Sequence, residues 1–443
     1  MGRDKSNLNK SLIVILIIMT SILVLLLIII FLGNRKQKDD NSDYHSNTSL
    51  EASPNSNSTN VSEVTSDDAL ASTDSSGLPQ TDDNSDTKVE SSSDDREETH
   101  GLPDDSTQGH GSTTDDSAEA ADSSVVEPIV LAFAGDVNFD EDSKPVARYD
   151  KENKGLLGGI SQELIDEMNE AEIFMLNNEF AYSTRGKEII EKSYTFRAHP
   201  KRVDILKEMG ADIVSLANNH ALDFGEEALL DTFTTLDEAG IDYVGAGANM
   251  NRAKAPIYYT IGDTTIAYVA ASHVIYAMDW YATDERPGMI GTYEPTLFIS
   301  SIKEAKENSD FVVVYVHWGK ERTHEPVDYQ KNLAKAYIDA GADAVIGCHP
   351  HVMQGIEFYK GKTIAYSLGN YWFNASKKES GLLKIYINPD GTTDTQLLPV
   401  KNDSTYTYLL TMEDDRKAYY EFMRDISFNV EYDESGFVSE KLN

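Results

Sequence analysis

From residue 126 onward the chain alternates short apolar runs with stretches whose apolar positions recur at helical spacing. "IVLAFAGD" reads as a buried strand running into Gly135–Asp136. "SQELIDEMNEA" has a helical period and "IFMLNNEF" is the next strand. "PKRVDILKEMG" is a helix with Pro200 at its start and Gly210 past its end. "ADIVSLANNH" is a strand, and "GEEALLDTFTTLDEAG" a helix closed by Gly240. "FVVVYVHWG" is a strand, "VDYQKNLAKAYIDAG" a helix closed by Gly341, and "ADAVIGCHPH" a strand. Further on, "GIEFYKGKTIAYSLGN" and "GLLKIYINPDGTTDTQLLPV" predict hairpins turned at Lys360–Gly361 and Asp390–Gly391. The region is α/β, with mixed sheets and helices covering their outer faces.

The pattern before residue 126 is different. Residues 12–32, "LIVILIIMTSILVLLLIIIFL", are apolar apart from Thr20 and Ser21. At helical rise this run spans the ~30 Å hydrocarbon core of a bilayer. It is too long for a secretory h-region and no A-x-A-like cleavage site follows. It predicts an uncleaved single-pass anchor after a short cytoplasmic segment, residues 1–11. Basic residues flank both ends, so charge alone leaves the orientation open. A long polar region after one N-terminal span favours a C-terminal domain outside the cell. Residues 33–125 are rich in Ser, Asp and Thr, too poor in apolar surface to offset chain entropy, and predict a disordered acidic stalk. About half of the net charge of −37 lies there. So acidic a chain argues against a nucleic-acid partner. The single cysteine, Cys348, excludes an internal disulfide framework, so residues 126–443 must stand on their own core.

Polar residues then fall in a telling place. Asp136 follows the first strand, Glu179 the second, and Asn218, Asn219 and His220 the third. His317 ends "FVVVYV", and His349 and His351 end "AVIG". Five strand exits bear only metal-type ligands, and in open α/β sheets such carboxyl ends converge on one edge. Pro350 between the two histidines implies a turn that gives each ring its own aim. Imidazole, carboxylate and amide oxygen together suit Zn, Mn or Fe. Six or seven ligands from several strands fit a two-ion site better than a four-ligand structural zinc.

In order, "FAGDVNF", "NNEF", "SLANNHALDFG", "VHWGKE", "GCHPHV" and "YSLGNY" resemble the motifs of the poly-γ-glutamate capsule-biosynthesis (CapA-like) family, itself similar to calcineurin-like metallophosphoesterases. The resemblance runs from about residue 130 to 375. It implies a four-layer sandwich of mixed sheets flanked by helices. It implies Asp136 and His351 at a first metal, Asn219, His317 and His349 at a second, and Glu179 bridging them. It implies His220 as the histidine that stabilises charge or protonates a leaving group, with Asp223 orienting its ring. One departure is plain: metallophosphoesterases carry D-x-H at the first strand, whereas this chain has Asp136-Val137-Asn138.

Other residues have weaker claims. Lys192, Arg197, Lys320 and Arg322 are candidates to clamp an anion. "SLGNYWF", residues 367–373, is a candidate cleft wall. Cys348 reads as a small buried residue, His273 has no assigned role, and His45, His100 and His110 lie in the stalk. The family resemblance implies work on poly-γ-glutamate or another envelope polymer, beside other capsule-synthesis subunits. Three functions stay open: a metal-dependent hydrolase or transferase, a non-catalytic polymer-binding or scaffold component, and an envelope hydrolase with another substrate.

Overall fold

The computed structural model describes residues 127–374 and 378–441. The predicted anchor and stalk lie outside these residues. Among the described residues no helix is long and apolar enough to cross a membrane.

Along the chain the elements run β1 (Ile129–Val137), α1 (Lys144–Glu152), α2 (Gln162–Asn169), β2 (Ile173–Asn178), α3 (Val203–Glu208), β3 (Ile213–Ser215), α4 (Gly225–Ala239) and β4 (Asp242–Val244). Next come β5 (Ile257–Ile261), β6 (Thr264–Ser272), α5 (Thr296–Glu307), β7 (Phe311–His317), α6 (Asp328–Ala340) and β8 (Ala344–Cys348). The last part is mostly strand: β9 (Met353–Tyr359), β10 (Lys362–Leu368), β11 (Asn370–Trp372), β12 (Lys378–Ile387) and β13 (Thr393–Asn402), then α7 (Glu413–Ile426), β14 (Val430–Tyr432) and β15 (Phe437–Glu440).

Two large mixed sheets result. The first has the order β14-β15-β13-β12-β1-β2-β3-β4, with β11 paired to β1; the second has β9-β10-β8-β7-β6-β5. Their inner faces share one apolar layer, in which Leu131, Phe133 and Met175 of the first sheet meet Tyr268, Val313 and Ile346 of the second. The outer face of the first sheet packs Ala132 and Phe174 against Leu164, Leu229 and Phe233 of α2 and α4. On the other side, Val312 and Val314 pack against Phe298, Ile302 and Tyr337 of α5 and α6. Helix, sheet, sheet and helix thus stack in layers. The central strands are buried on both faces, which is why they read as continuous apolar runs.

Both expected hairpins form, as the β9–β10 and β12–β13 pairs. The helix expected from Pro200 begins as a 3-10 turn, Pro200–Arg202, before α3. A larger correction concerns the strand exits. They do not share one sheet edge: β1, β2 and β3 belong to the first sheet, β7 and β8 to the second. The five ends meet because the sheets are stacked face to face, and Tyr315 of β7 donates across the layer to the Ala134 carbonyl at 2.6 Å.

The end of β1 is built around a close approach. Phe133 pairs with Met175 but Asp136 with Asn177, so β1 carries one extra residue there. Such a bulge bends the strand and re-aims the side chain after it. The Asp136 N–H donates to the Gly369 carbonyl at 2.9 Å. A Cβ on Gly135 would stand 1.9 Å from that same oxygen. Gly135→Ala is therefore expected to lower stability by about 1–3 kcal/mol, as overpacking of a filled interior does; urea unfolding of the full chain measures it, and an unchanged midpoint would contradict the tight approach.

Candidate metal centre

Seven predicted residues gather at the exits of β1, β2, β3, β7 and β8. Asp136 and Glu179 are fully buried, as is His317. Asp136 Oδ1 accepts from Asn177 Nδ2 at 2.8 Å and Oδ2 accepts from the His349 backbone N–H at 3.2 Å. His351 Nδ1 lies 3.4 Å from Asp136 Oδ2 and 2.8 Å from Asn370 Oδ1. His317 Nε2 lies 2.6 Å from Asn219 Oδ1 and 3.7 Å from Glu179 Oε1, while His351 Nε2 stands 3.9 Å from the same Glu179 oxygen. The rings of His317 and His349 are 4.6 Å apart.

The backbone explains how two histidines one residue apart reach one cluster. His349 has φ 96° and His351 φ 55°. Both stand in the left-handed region that non-glycine residues adopt at a cost, and local strain of this kind persists only where the surroundings impose it. The turn holds the two rings 5.7 Å apart, tilted 53° to one another.

Charge in this setting is unusual. Burial raises the Glu179 carboxyl well above the ordinary range, and the Asp136 charge raises it further. Burial also acts on Asp136, but the bond from His351 and its charge outweigh it, so that carboxyl is held below its usual value. Burial opposes charge on His351 too, yet Glu179 and Asp136 raise it to about 10. Burial drives His349 down to about 3 and His317 well below the imidazole range. Two neutral imidazoles therefore stand beside one carboxylate, Asp136, and one carboxyl, Glu179, that burial drives toward its neutral form.

Neither oxygen of Glu179 has a hydrogen-bond partner, and neither has His349 Nδ1. Buried polar atoms are nearly always paired, with protein, water or an ion, so these three are open to a ligand from outside the chain. Sets that can converge on an ion are Asp136, Glu179 and His351, and Glu179, His317 and His349; Asp136, His317 and Cys348 make a third. Carboxylate and imidazole donors suit a divalent transition ion, so the residues present fit one. Cys348 is a poorer donor, because burial pushes its thiol well above the ordinary range. It forms part of the wall, with Sγ 3.2 Å from His317 Nδ1.

Beside the cluster lies a second network. His220 Nδ1 contacts Asp223 Oδ2 at 2.6 Å. Lys192 Nζ bonds Asp223 Oδ1 at 2.5 Å and also reaches the Asn219 carbonyl. The Phe196 N–H donates to Asp223 Oδ2 at 2.7 Å, and the Phe196 ring sits 4.2 Å from that of His220. Asp223 thus orients His220 as expected. Lys192 is not a free anion clamp: its charge is consumed in this network. Asp223→Ala would leave Lys192 buried without its partner, an expected cost of about 3–5 kcal/mol; chemical unfolding tests it, and a loss within experimental error of zero would contradict the network.

A cavity of about 530 Å³ opens over both networks, lined among others by His220, His351, Asn138, Asn370, Phe196 and Arg322. Asn370 and Phe373 make the expected cleft wall. Arg197 does not face this cavity; its guanidinium lies over the Phe224 ring. Lys320 is exposed. His273 stacks on Tyr329 with centroids 3.9 Å apart, apart from the cluster. Sequence reading passed over Asn177, which links Asp136 to the His317 ring through one amide. Its signal was the Asn pair immediately before Glu179. Asn218 does not cap α4; its amide holds Asn177 Oδ1 and the Asn178 carbonyl, and its oxygen takes the His220 N–H.

Fold and cluster together define an α/β protein with a buried carboxylate–histidine centre between two sheets. The chain matches the family model for bacterial capsule synthesis protein PGA_cap over residues 130–375, and it belongs to that family. It is 35% identical over 227 residues to the PGA biosynthesis protein CapA of Bacillus subtilis, covering 50% of this chain and 59% of that one. It is 34% identical over 245 residues to the capsule biosynthesis protein CapA of Bacillus anthracis, covering 54% and 59%. The match thus spans less than two thirds of either relative. Among solved structures, the NAD nucleotidase of Haemophilus influenzae aligns with a TM-score of 0.37 and 11% identity, over 68% of this chain and 57% of that one. So slight a likeness bears on neither fold nor activity.

Proposed function

We propose that this chain is a membrane-anchored component of poly-γ-glutamate capsule synthesis or export whose outer domain carries a metal-dependent, hydrolase-type centre on a metallophosphoesterase-type sandwich. The observation that carries the metal reading is Glu179: a fully buried carboxylate with both oxygens unpartnered, facing two imidazoles. The family and the names of its relatives support the polymer context. The apolar run at residues 12–32 supports the anchor, and the long polar region after that single span supports a domain outside the membrane.

Asp136, Glu179, His317, His349 and His351 would hold one or two ions, with the amide oxygen of Asn219 beside them. A bound divalent ion supplies positive charge that polarises a substrate oxygen and lowers the pKa of water. The rest falls to this chain's own side chains. Asn177 fixes Asp136 from behind, and Asn370 fixes the His351 ring. Asp223 holds His220 through Nδ1, which leaves Nε2 of that ring to carry or deliver a proton at the cavity. Phe196 and Phe373 supply apolar surface to the cavity wall. Arg322 at its edge supplies a positive charge for an anionic chain.

The test is metal content per chain, by plasma mass spectrometry on the full chain purified in mild detergent. The wild type is expected to carry one or two ions of Mn, Zn or Fe. A His349→Ala, His351→Ala double variant is expected to lose most of them while keeping its circular dichroism. Equal content in the two proteins would overturn the assignment.

A further inference from the structure

Two residues of the cavity are left with donors that nothing accepts. Asn138 and Asn370 both line it, each is 1% exposed, and the side-chain Nδ2 of each has no hydrogen-bond partner. Their amide orientations are fixed by their oxygens. Asn138 Oδ1 accepts from the Asp140 backbone N–H at 2.8 Å. Asn370 Oδ1 faces His351 Nδ1, which also has Asp136 Oδ2 at 3.4 Å. A ring nitrogen between two oxygens carries the proton, so the oxygen of Asn370 accepts it and the NH₂ turns elsewhere. Asp140, the nearest carboxylate in sequence, is not the missing acceptor: its oxygens take the N–H groups of Asp142 and Arg197.

We propose that the amide groups of Asn138 and Asn370 form a paired donor site for one oxyanion, a carboxylate or phosphoryl oxygen, at the cavity wall beside His351. The two residues are neighbours by construction. Asn370 pairs with Asp136 across the parallel β1–β11 ladder, and the Asn138 N–H donates to the Trp372 carbonyl at 2.9 Å. A buried N–H without an acceptor is costly, and an incoming oxygen removes that cost at both amides. Neutral donors meet an oxygen without adding charge to a cavity whose lining already carries the carboxylates Asp140 and Glu321. Arg322 and Lys378, also on the cavity, supply the countercharge. Asn138 is thereby a substrate-binding residue: its oxygen is turned to the Asp140 N–H, and the group left without a partner is a donor, which a metal cannot use. The proposal rests on the metal reading above only in placing the anion next to the ions.

The experiment is isothermal titration of the full chain in detergent with inorganic phosphate and, separately, glutarate, each with manganese and with EDTA. Asn138→Ala and Asn370→Ala are each expected to weaken the anion that binds by about tenfold or more, the loss of a buried hydrogen bond to a charged group. Ion content of Asn138→Ala, measured alongside, is expected to equal that of wild type. Binding of phosphate alone assigns a phosphoryl ligand, and of glutarate alone a carboxylate. If an Ala variant does not fold, Asn138→Asp and Asn370→Asp keep the acceptors for Asp140 and His351 and carry the same expectation. Anion affinity unchanged in the variants overturns the proposal, as does failure of wild type to bind either anion. Loss of ions from Asn138→Ala also overturns it, because Asn138 is then a ligand. A wild type without ions sinks the metal reading instead, and the EDTA titration still decides for or against the amides.

Discussion

Everything at this site follows from one carboxylate that the fold removes from water without giving it a partner. A buried ionised carboxylate is expensive unless something compensates it. The chain sets a second carboxylate and two low-basicity imidazoles around Glu179, and the lysine whose charge reaches it, Lys192, is itself bonded to Asp223. The one histidine that does gain basicity, His351, is held by Asp136 and Asn370 rather than by Glu179 alone. Such a cluster is poor as a structural ion pair and well suited to a cation. Stability at this point has been given up for binding capacity, the usual sign of a functional centre.

The scaffold is arranged to make that cluster inevitable. Two sheets stack, and the ends of their central strands point the same way. A bulge in β1 turns Asp136 inward, a glycine lets β11 come close, and a strained turn after β8 presents His349 and His351 with separate aims. Around the ligands runs a ring of amides, Asn177, Asn218 and Asn370, that fixes carboxylate and imidazole orientations without adding charge. Residues behind a ligand set its geometry as firmly as the ligands themselves.

Much of this was legible beforehand, for physical reasons. Fully buried strands leave unbroken apolar runs, and polar residues directly after them mark the sheet ends, so Asp136, Glu179, His317, His349 and His351 stand out without any partner being known. Gly210, Gly240 and Gly341 marked helix ends because each takes a positive φ there. What was hidden is pairing across the sheets. Nothing local in the sequence says that β1 and β7 lie in different layers, or that Lys192 is spent on Asp223. Asn138 looked like a lost imidazole; only its occupied oxygen and idle nitrogen give it another role.

Thermal unfolding of the full chain and of its Glu179→Gln variant, each with EDTA and with manganese, tests the account most directly. A ligand bound only by the native state raises the unfolding temperature. Manganese should raise that of the wild type by about 3 °C or more and leave the variant unmoved, a scale set by typical unfolding entropies. In EDTA the variant should be at least as stable as wild type, because an amide replaces a buried carboxyl that had no partner. No manganese response in the wild type, or the same response in both proteins, would contradict the claim that Glu179 is buried to hold an ion.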